Sequence, residues 1–555
     1  REAVTWYRLA AEQGDAIAQR RLGMMFKLGQ GVPKDDTEAV YWYRKAAEQG
    51  NATAQTQLGL LYASGRGVTK SDEEAVYWFY KAAEQKEANA LFQLGIAYSK
   101  GQGIPLDERE GISWYRKAAE QGHAEAQFTL GNACRKGQGV AQDERQAVFW
   151  YRKAAEQGHA GAQTSLAARY AEGQGVEQDH QAAFSWYHKA AEQGHANAQN
   201  NLGNLYRSGK GVERTDDKAV FWYRQAAEQG HAIAQYNLGH CHATGQGVAQ
   251  DDKEAVFWYR KAAAQGHKGA QFSMGLHCQQ GRGTSQEYRE AYSWYRKAAE
   301  QGNPAAQLNL GLLFAHGHGI PQDYAEAARL YRLAAEAGNL DAQYHLSHLY
   351  WEGLGVKRDD RQAVLLCRNA AKQGHVGAQH RLGDRLARGE GIAKDEKEAL
   401  TWYRKAAGQG DAEARNSLGN CHRDGVGTAV DHQEAVTWYR KAAEQNHAEA
   451  QNSLGNLYAY GEGVPQDEQE AARWYRLAAE QNHAEAQNSL GLLYSDDQGT
   501  LKDPVAAHTW YTLSAMNGYK AAARERDRLA DLLTRSQLAE SQRLVRAWVE
   551  RQSSK

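Results

Sequence analysis

Proline is scarce in this chain, 6 residues in 555, and cysteine (5) and methionine (4) are scarcer still. So few prolines leave long stretches without a helix breaker, while 56 glycines among Ala, Glu, Gln and Arg supply turn positions. That mixture favours helices punctuated by glycine turns and predicts little or no β structure. Charge of either sign is also missing as an excess: 66 basic against 67 acidic residues give a formal charge of -1. A near-neutral chain has no long-range field to draw it to nucleic acid or an anionic membrane, so recognition has to be local. No apolar run approaches the length that crosses a bilayer, and the mean hydropathy is -0.78, so no membrane insertion is expected. A starting Met and a signal-peptide pattern are absent and Arg1 falls in mid-repeat, which predicts a fragment or processed form.

What is present is a period. Trp6, Trp42, Trp78, Trp114, Trp150, Trp186, Trp222, Trp258 and Trp294 are each 36 residues apart. Leu330 and Leu366 take the same place before Trp402, Trp438, Trp474 and Trp510 resume it, so one spacing holds without an insertion to mark a domain boundary. In the unit from Asn51 to Lys86, Ala54, Leu58, Leu61 and Tyr62 form the apolar stripe of one amphipathic helix, termed A. Ala75, Trp78, Phe79, Ala82 and Ala83 form that of a second, termed B. Large aromatics beside small alanines predict closely interdigitated neighbours.

Gly65-Arg66-Gly67-Val68 joins the two halves, and its glycines recur through Gly461 and Gly463. A phosphate-binding loop would follow a strand and carry Lys-Ser or Lys-Thr; here the glycines read as left-handed caps of helix A. Asp35, Ser71, Asp107, Asp143, Asp179, Thr215, Asp251 and Asp323 share the position that opens helix B, with Glu38, Glu74, Glu110, Gln146, Glu254 and Glu326 three residues on. These pairs read as capping boxes, not as catalytic acids and bases, because they recur in most units. Helix B ends on glycines such as Gly50, Gly122 and Gly158, or on Asn446 and Asn482, which also tolerate a left-handed backbone; Lys86 is the misfit.

Ala-Gln-x-x-Leu-Gly-x-x-Tyr-x-x-Gly-x-Gly-Val at Ala198–Val212 and Trp-Tyr-Arg-Lys-Ala-Ala-Glu-Gln-Gly at Trp114–Gly122 resemble Sel-1-like repeats, a subgroup of the tetratricopeptide-like α-solenoids. The resemblance implies an all-α superhelix, a solenoid of helix-turn-helix repeats with A helices lining a concave groove. It also implies a non-enzymatic scaffold or adaptor for protein or peptide partners, in a bacterial signalling, envelope or host-interaction setting. The periplasm, the exterior and the cytoplasm stay open as compartments. The expected division is a partial repeat (helix B alone) over 1–14, fourteen repeats over 15–518 and a helical cap over 519–555. In that cap Thr534 with Gln537 reads as a capping box, and Leu538, Leu544, Val545, Trp548 and Val549 as an apolar face. Repeat arrays need such a cap to cover the last stacking surface.

In a solenoid the repeating residues build the scaffold and the varying ones the site. Two varying rows on helix A are expected to face the groove. One carries Phe92, Phe128, Tyr236, Tyr344, His380, Asn416 and Asn452; the other, four residues on, carries Asn132, Asn204, His240, His348, Asp384, Asn420 and Asn456. Asn amides at this spacing suit a peptide backbone, and aromatics supply anchors. The stretch 303–410 departs furthest from the pattern: Leu330 and Leu366 displace Trp, Cys367 displaces Tyr, and Ser347 displaces Gly. Tyr344, His348, Trp351, His380, Asp384 and Arg388 are its candidate partner residues, with Trp351 read as an exposed anchor beside Arg. The recurrent His123, His159, His195, His231, His267, His375, His447 and His483 read as turn or cap residues at the start of helix A. His240, Cys241, His242, His277 and Cys278 have zinc-ligand chemistry but occupy core rows, so no metal or cofactor is expected. All five cysteines fall on core rows as small hydrophobes. No nucleophile constellation stands apart from the repeat; a weak hydrolase, a metal-dependent enzyme and a helical-repeat nucleic-acid binder are the alternative functions.

Overall fold

The computed structural model describes residues 2–496 and 500–553. Among them lie 31 α-helices and no strand. They form two compact units, Arg1–Gln286 and Glu287–Lys555. The division falls within a repeat, between helix A at Lys268–Gln280 and helix B at Tyr288–Glu300. Each unit is a run of alternating A and B helices packed on their neighbours in sequence, except that the last helix, Arg535–Ser553, packs on Pro504–Met516.

The repeat with helix A at Ala196–Ser208 and helix B at Asp216–Glu228 shows why the pair forms. Ala198, Leu202, Ala219, Tyr223 and Ala226 are all buried. Burying a side chain the size of Tyr223 contributes about 1.5 to 3 kcal/mol. Its ring lies flat on Gly203, where a Cβ would come within 2.7 Å of it. The phenol then escapes an unsatisfied burial by donating to Asn204 Oδ1 at 2.7 Å.

Caps set the helix boundaries. Asp251 accepts from the amides of Lys253 (2.9 Å) and Glu254 (3.1 Å) and so opens helix B. The expected capping box is only half formed. The Asp251 N–H donates to His242 O at 2.9 Å, and the same bond joins Asp35 to Phe26 and Asp323 to Phe314. With that donor taken by helix A, the glutamate three residues on is released. Glu38, Glu290, Glu398 and Glu434 instead accept from the indole Nε1 of Trp42, Trp294, Trp402 and Trp438, at 2.8–3.2 Å. Thr215, read as a cap, makes no side-chain cap bond.

Histidine caps helix A as expected. Nδ1 of His123, His159, His231, His267, His375, His447 and His483 accepts the amide three residues on, at 2.9–3.2 Å. His195 makes no such bond and meets Thr164 Oγ1 at 3.0 Å. An Nδ1 that accepts must be unprotonated. Burial pushes the pKa of His123, His231 and His267 down, and for His123 the carboxylates of Glu125 and Glu87 oppose this only partly. The unfolded chain therefore binds more protons than the folded one below the usual value of 6.5, and stability falls as pH drops through that region. A cap is worth about 0.5 to 2 kcal/mol. We expect the melting temperature to fall between pH 7.5 and pH 5. The triple variant His123→Asn, His231→Asn, His267→Asn should flatten that limb, since Asn51, Asn303 and Asn339 already cap helix A without titrating. An unchanged pH slope in the triple variant would show that these caps are not its source.

The loop glycines have two jobs. Gly245 (φ 72°) is the left-handed C-cap, its N–H donating to Cys241 O. Gly247 (φ 69°) lies against the first turn of the preceding helix B, where a Cβ would stand 2.2 Å from Asp216 O. Gly67, Gly103, Gly175, Gly211 and Gly283 make the same approach. Lys86, Asn446 and Asn482 take the left-handed backbone after helix B at φ 60–64°.

A glutamine ladder joins successive repeats. Gln19, Gln55, Gln127, Gln163, Gln199 and Gln235 each send Nε2 to an alanine carbonyl at the end of the preceding helix B, at 3.0–3.2 Å. Their Oε1 atoms accept from Gln49, Gln85, Gln157, Gln193, Gln229 and Gln265 of the following helix B, at 2.7–3.0 Å.

Beyond the repeats stand helices Lys520–Ala530 and Arg535–Ser553. Here the box is reciprocal: Gln537 Oε1 accepts from Thr534 N (3.0 Å) and Thr534 Oγ1 from Gln537 N (3.3 Å). Trp548 stacks edge-on against Trp510 at 5.1 Å. Leu544 and Val549, expected on the apolar face, are exposed instead, because contact with helix Pro504–Met516 runs through Trp548 and Ser541.

Candidate peptide-binding site

The two varying rows of helix A prove to be largely committed within the array. In the first row the aromatics pack on the cap histidine of the next repeat: Phe92 stacks on His123 at 4.7 Å, Tyr236 on His267 at 4.6 Å and Tyr344 on His375 at 4.9 Å, and Phe128 lies tilted on His159 at 4.7 Å. Asn416 and Asn452 of the same row are buried, and their Oδ1 atoms have no hydrogen-bond partner. In the second row the side-chain oxygen accepts from the tyrosine of the same repeat. The bonds run from Tyr403 to Asp384 (2.9 Å), Tyr439 to Asn420 (2.6 Å) and Tyr475 to Asn456 (2.6 Å). An amide so engaged keeps its Nδ2 donors and one oxygen lone pair for a ligand.

The irregular stretch behaves differently. Tyr344 and His348 line one cleft of about 290 Å³, with His316, Tyr324, Tyr331, His345, Leu349 and Arg381. Helix Leu340–Glu352 carries Tyr344, His345 and His348, and helix Val376–Arg388 carries Arg381. Burial pushes both His345 and His348 down; Arg381 adds to the effect at His348. His348 Nδ1 is buried without a partner. Arg381 stays cationic, its pKa raised by a hydrogen bond to Tyr344 that outweighs, with nearby negative groups, its own desolvation. The cleft thus presents one fixed cation, neutral imidazoles and aromatic faces.

The other candidates do not converge there. Trp351 is no exposed anchor: it is 3% exposed, with the Arg385 guanidinium 4.7 Å above its ring. The ring joins the core cluster of Cys367, Leu382 and Leu386. His380 meets Ser417 Oγ at 3.2 Å and Asp384 at 3.5 Å. Arg388 is exposed and lies 3.9 Å from Glu390. Residues that position reading overlooked are His345 and Arg381. Both sit one step off the rows followed above, and the signal was a His pair, His345 and His348, at helical spacing on one helix.

Ser347 and Cys367 explain each other. Where most other repeats set Gly against Tyr, these two stand paired, and Cys367 hydrogen-bonds with Ser347 and donates to Ala378 O at 3.4 Å. Burial raises its thiol to about 12. All five cysteines are buried and free, as expected of small hydrophobes. At the His240 to Cys278 cluster, His277 Nδ1 meets Arg282 O at 3.0 Å, and no group of three His, Cys, Asp or Glu among the described residues is arranged to hold a metal. No helix among them is long and apolar enough to cross a membrane.

The Sel1 repeat model matches fifteen segments, residues 1–15 and then fourteen running from 16–51 to 484–519. The chain belongs to the Sel1 repeat family. A similar solved structure is a protective antigen of uropathogenic Escherichia coli with an SLR fold: 34% identity, 86% of this chain and 94% of that one covered, TM-score 0.68. A Sel1 repeat protein of Oxalobacter formigenes is 35% identical over 56% of this chain and 90% of its own, with TM-score 0.44. No curated protein matches this sequence. Sel1 repeats thus account for the tandem helix pairs, and the departures from the repeat define what is particular to this member.

Proposed function

We propose that this Sel1 repeat protein is a non-catalytic scaffold that holds peptide segments of partner proteins, with the Tyr344, His348 and Arg381 cleft as its main contact. The supporting observation is that this cleft alone among the candidate positions combines aromatic faces, an unpaired imidazole nitrogen and a fixed cation in one concavity. Such a set suits a segment with an acidic side chain or a terminal carboxylate: Arg381 takes the charge and Tyr344 packs the adjoining apolar group. Asn420 and Asn456 offer their remaining Nδ2 donors further along the array. The helices at 519–555 act in this reading as the cap of the last repeat.

Selection of peptides from a random display library on the intact protein tests the proposal. Enriched peptides should be acidic, and their affinity should fall at least about tenfold in Tyr344→Ala and in Arg381→Gln, the range of a central contact residue. Trp351→Ala is unsuitable as a probe, since removing a buried indole costs about 3 to 5 kcal/mol of stability. Equal binding by wild type and both cleft variants would remove the site assignment.

A further inference from the structure

A second cleft, of about 510 Å³, lies between helices Tyr288–Glu300, Pro304–His316 and Tyr324–Glu336 and shares no lining residue with the first. Its origin is a substitution in the repeat itself. Thirteen repeats place Trp where this one has Leu330. Elsewhere that indole packs edge-on against the preceding helix B, Trp114 on Tyr80 at 5.7 Å and Trp222 on His188 at 5.9 Å. The residue at the Tyr80 and His188 position here is Arg296, and Arg296 and Leu330 both line the cleft. The cleft is the place an indole has left.

The polar groups that serve the indole remain. Glu326 stands where Glu38 and Glu434 accept a tryptophan Nε1–H; it lines the cleft and pairs with exposed Arg329 at 2.5 Å. A second acceptor is left over as well. Gln307 lines the cleft, is 7% exposed, and its Oε1 has no partner. Its ladder donor would come from position 337, which is Ala337. Leu333, on the same wall, is 39% exposed where Lys45 and Lys297 lie over the tryptophan rings of other repeats. A slot left by the loss of one aromatic ring, with Leu310, Phe314 and Leu330 on its walls, Glu326 as an acceptor and Gln307 Oε1 unpartnered, calls for an aromatic N–H ligand.

We propose that this cleft binds a tryptophan side chain presented by a partner polypeptide, its indole in the vacated place against Arg296 and Leu330 and an N–H directed to Glu326 or Gln307. The probe is a Gly/Ser nonapeptide with one central 5-fluorotryptophan, titrated with the full chain and followed by fluorine NMR. Wild type should bind with a Kd on the order of 0.1 to 1 mM, the range of a single buried side chain. Leu330→Trp, which restores the majority residue and so keeps the fold, should abolish binding. Ala337→Gln, which restores the ladder donor without filling the slot, should weaken it about fivefold to tenfold, the worth of one hydrogen bond. Absence of wild-type binding, undiminished binding by Leu330→Trp, or equal binding of the peptide with leucine in place of tryptophan each overturns the proposal. Unchanged affinity in Ala337→Gln overturns the role of Gln307.

Discussion

Gly247→Ala lowers stability by about 2 to 5 kcal/mol, whereas Gly245→Ala and Gly230→Ala each cost about 1 to 2 kcal/mol, although all three glycines share a left-handed backbone. The common part is the strain of an L side chain at positive φ, roughly 1 to 2 kcal/mol. What separates them is space. A methyl at Gly230 meets nothing within 4 Å, and one at Gly245 meets Gln250 Cβ at 3.4 Å, an ordinary contact. At Gly247 it would stand 2.2 Å from Asp216 O and 2.3 Å from Asp216 C. Backbone has to move there, in the first turn of helix Asp216–Glu228, and overpacking of that kind adds about 1 to 3 kcal/mol. Comparison of urea midpoints for the three variants is sufficient. Hydrogen exchange should also quicken at residues 216–219 in Gly247→Ala. Equal losses for Gly245 and Gly247 would refute the close-approach account.

Cys367→Tyr is the second large effect, a loss of about 1 to 3 kcal/mol that Ser347→Gly recovers. The tyrosine ring of most other repeats lies against a glycine, with Ala167 opposite Tyr187 the exception: at Gly311 a Cβ would come within 2.6 Å of Tyr331, and at Gly383 within 2.6 Å of Tyr403. Ser347 is fully buried and supplies that obstructing carbon. Ser347→Gly alone leaves a gap beside Cys367 and adds helix-interior glycine, at about 0.5 to 1 kcal/mol. The double variant rebuilds the majority pair, so the cycle should show a coupling of about 1 kcal/mol or more, favourable in sign. Additive losses would mean that the two departures arose independently.

Most of the architecture is legible in the sequence because each packing contact recurs at a fixed spacing. The 36-residue tryptophan period, the two apolar stripes and the glycine loop identify the helix pair and its ends. The cap role of His123 and its equivalents follows from their exchange with Asp15 and Asn51 at one position. Other features are not local. The reciprocal half of the capping box fails because Asp251 N–H reaches back to a carbonyl nine residues earlier, a bond that exists only once helix A has turned over helix B. The second-row asparagines read as free donors because their tyrosine partners lie 19 residues away on another helix. Trp351 reads as exposed because its position usually holds small or charged residues. The cover comes from Arg385 in the next repeat, which position within one repeat does not reveal. Within the candidate site, Tyr344 and His348 are found by their variation, whereas Arg381 is recognised only through the cleft.

The glutamine ladder bears on how the array comes apart. Each rung ties the carbonyl end of one helix B, the first turn of the next helix A and the end of the helix B that follows. Its Gln–Gln bond ties the two helices of one repeat together, and its bond to the alanine carbonyl attaches that repeat to the one before. In a one-dimensional array such attachment energies decide how many repeats melt as a single block. At Ala337 and at Gln343 Oε1 the Gln–Gln half is unmade, although Gln307 and Gln343 still bond to Ala299 O and Ala335 O, whereas Leu91 leaves no glutamine for either half. The attachment that lacks a rung is thus at Leu91, while the repeats around Gln307 and Gln343 stay tied to their predecessors and lose only a tie between their own two helices.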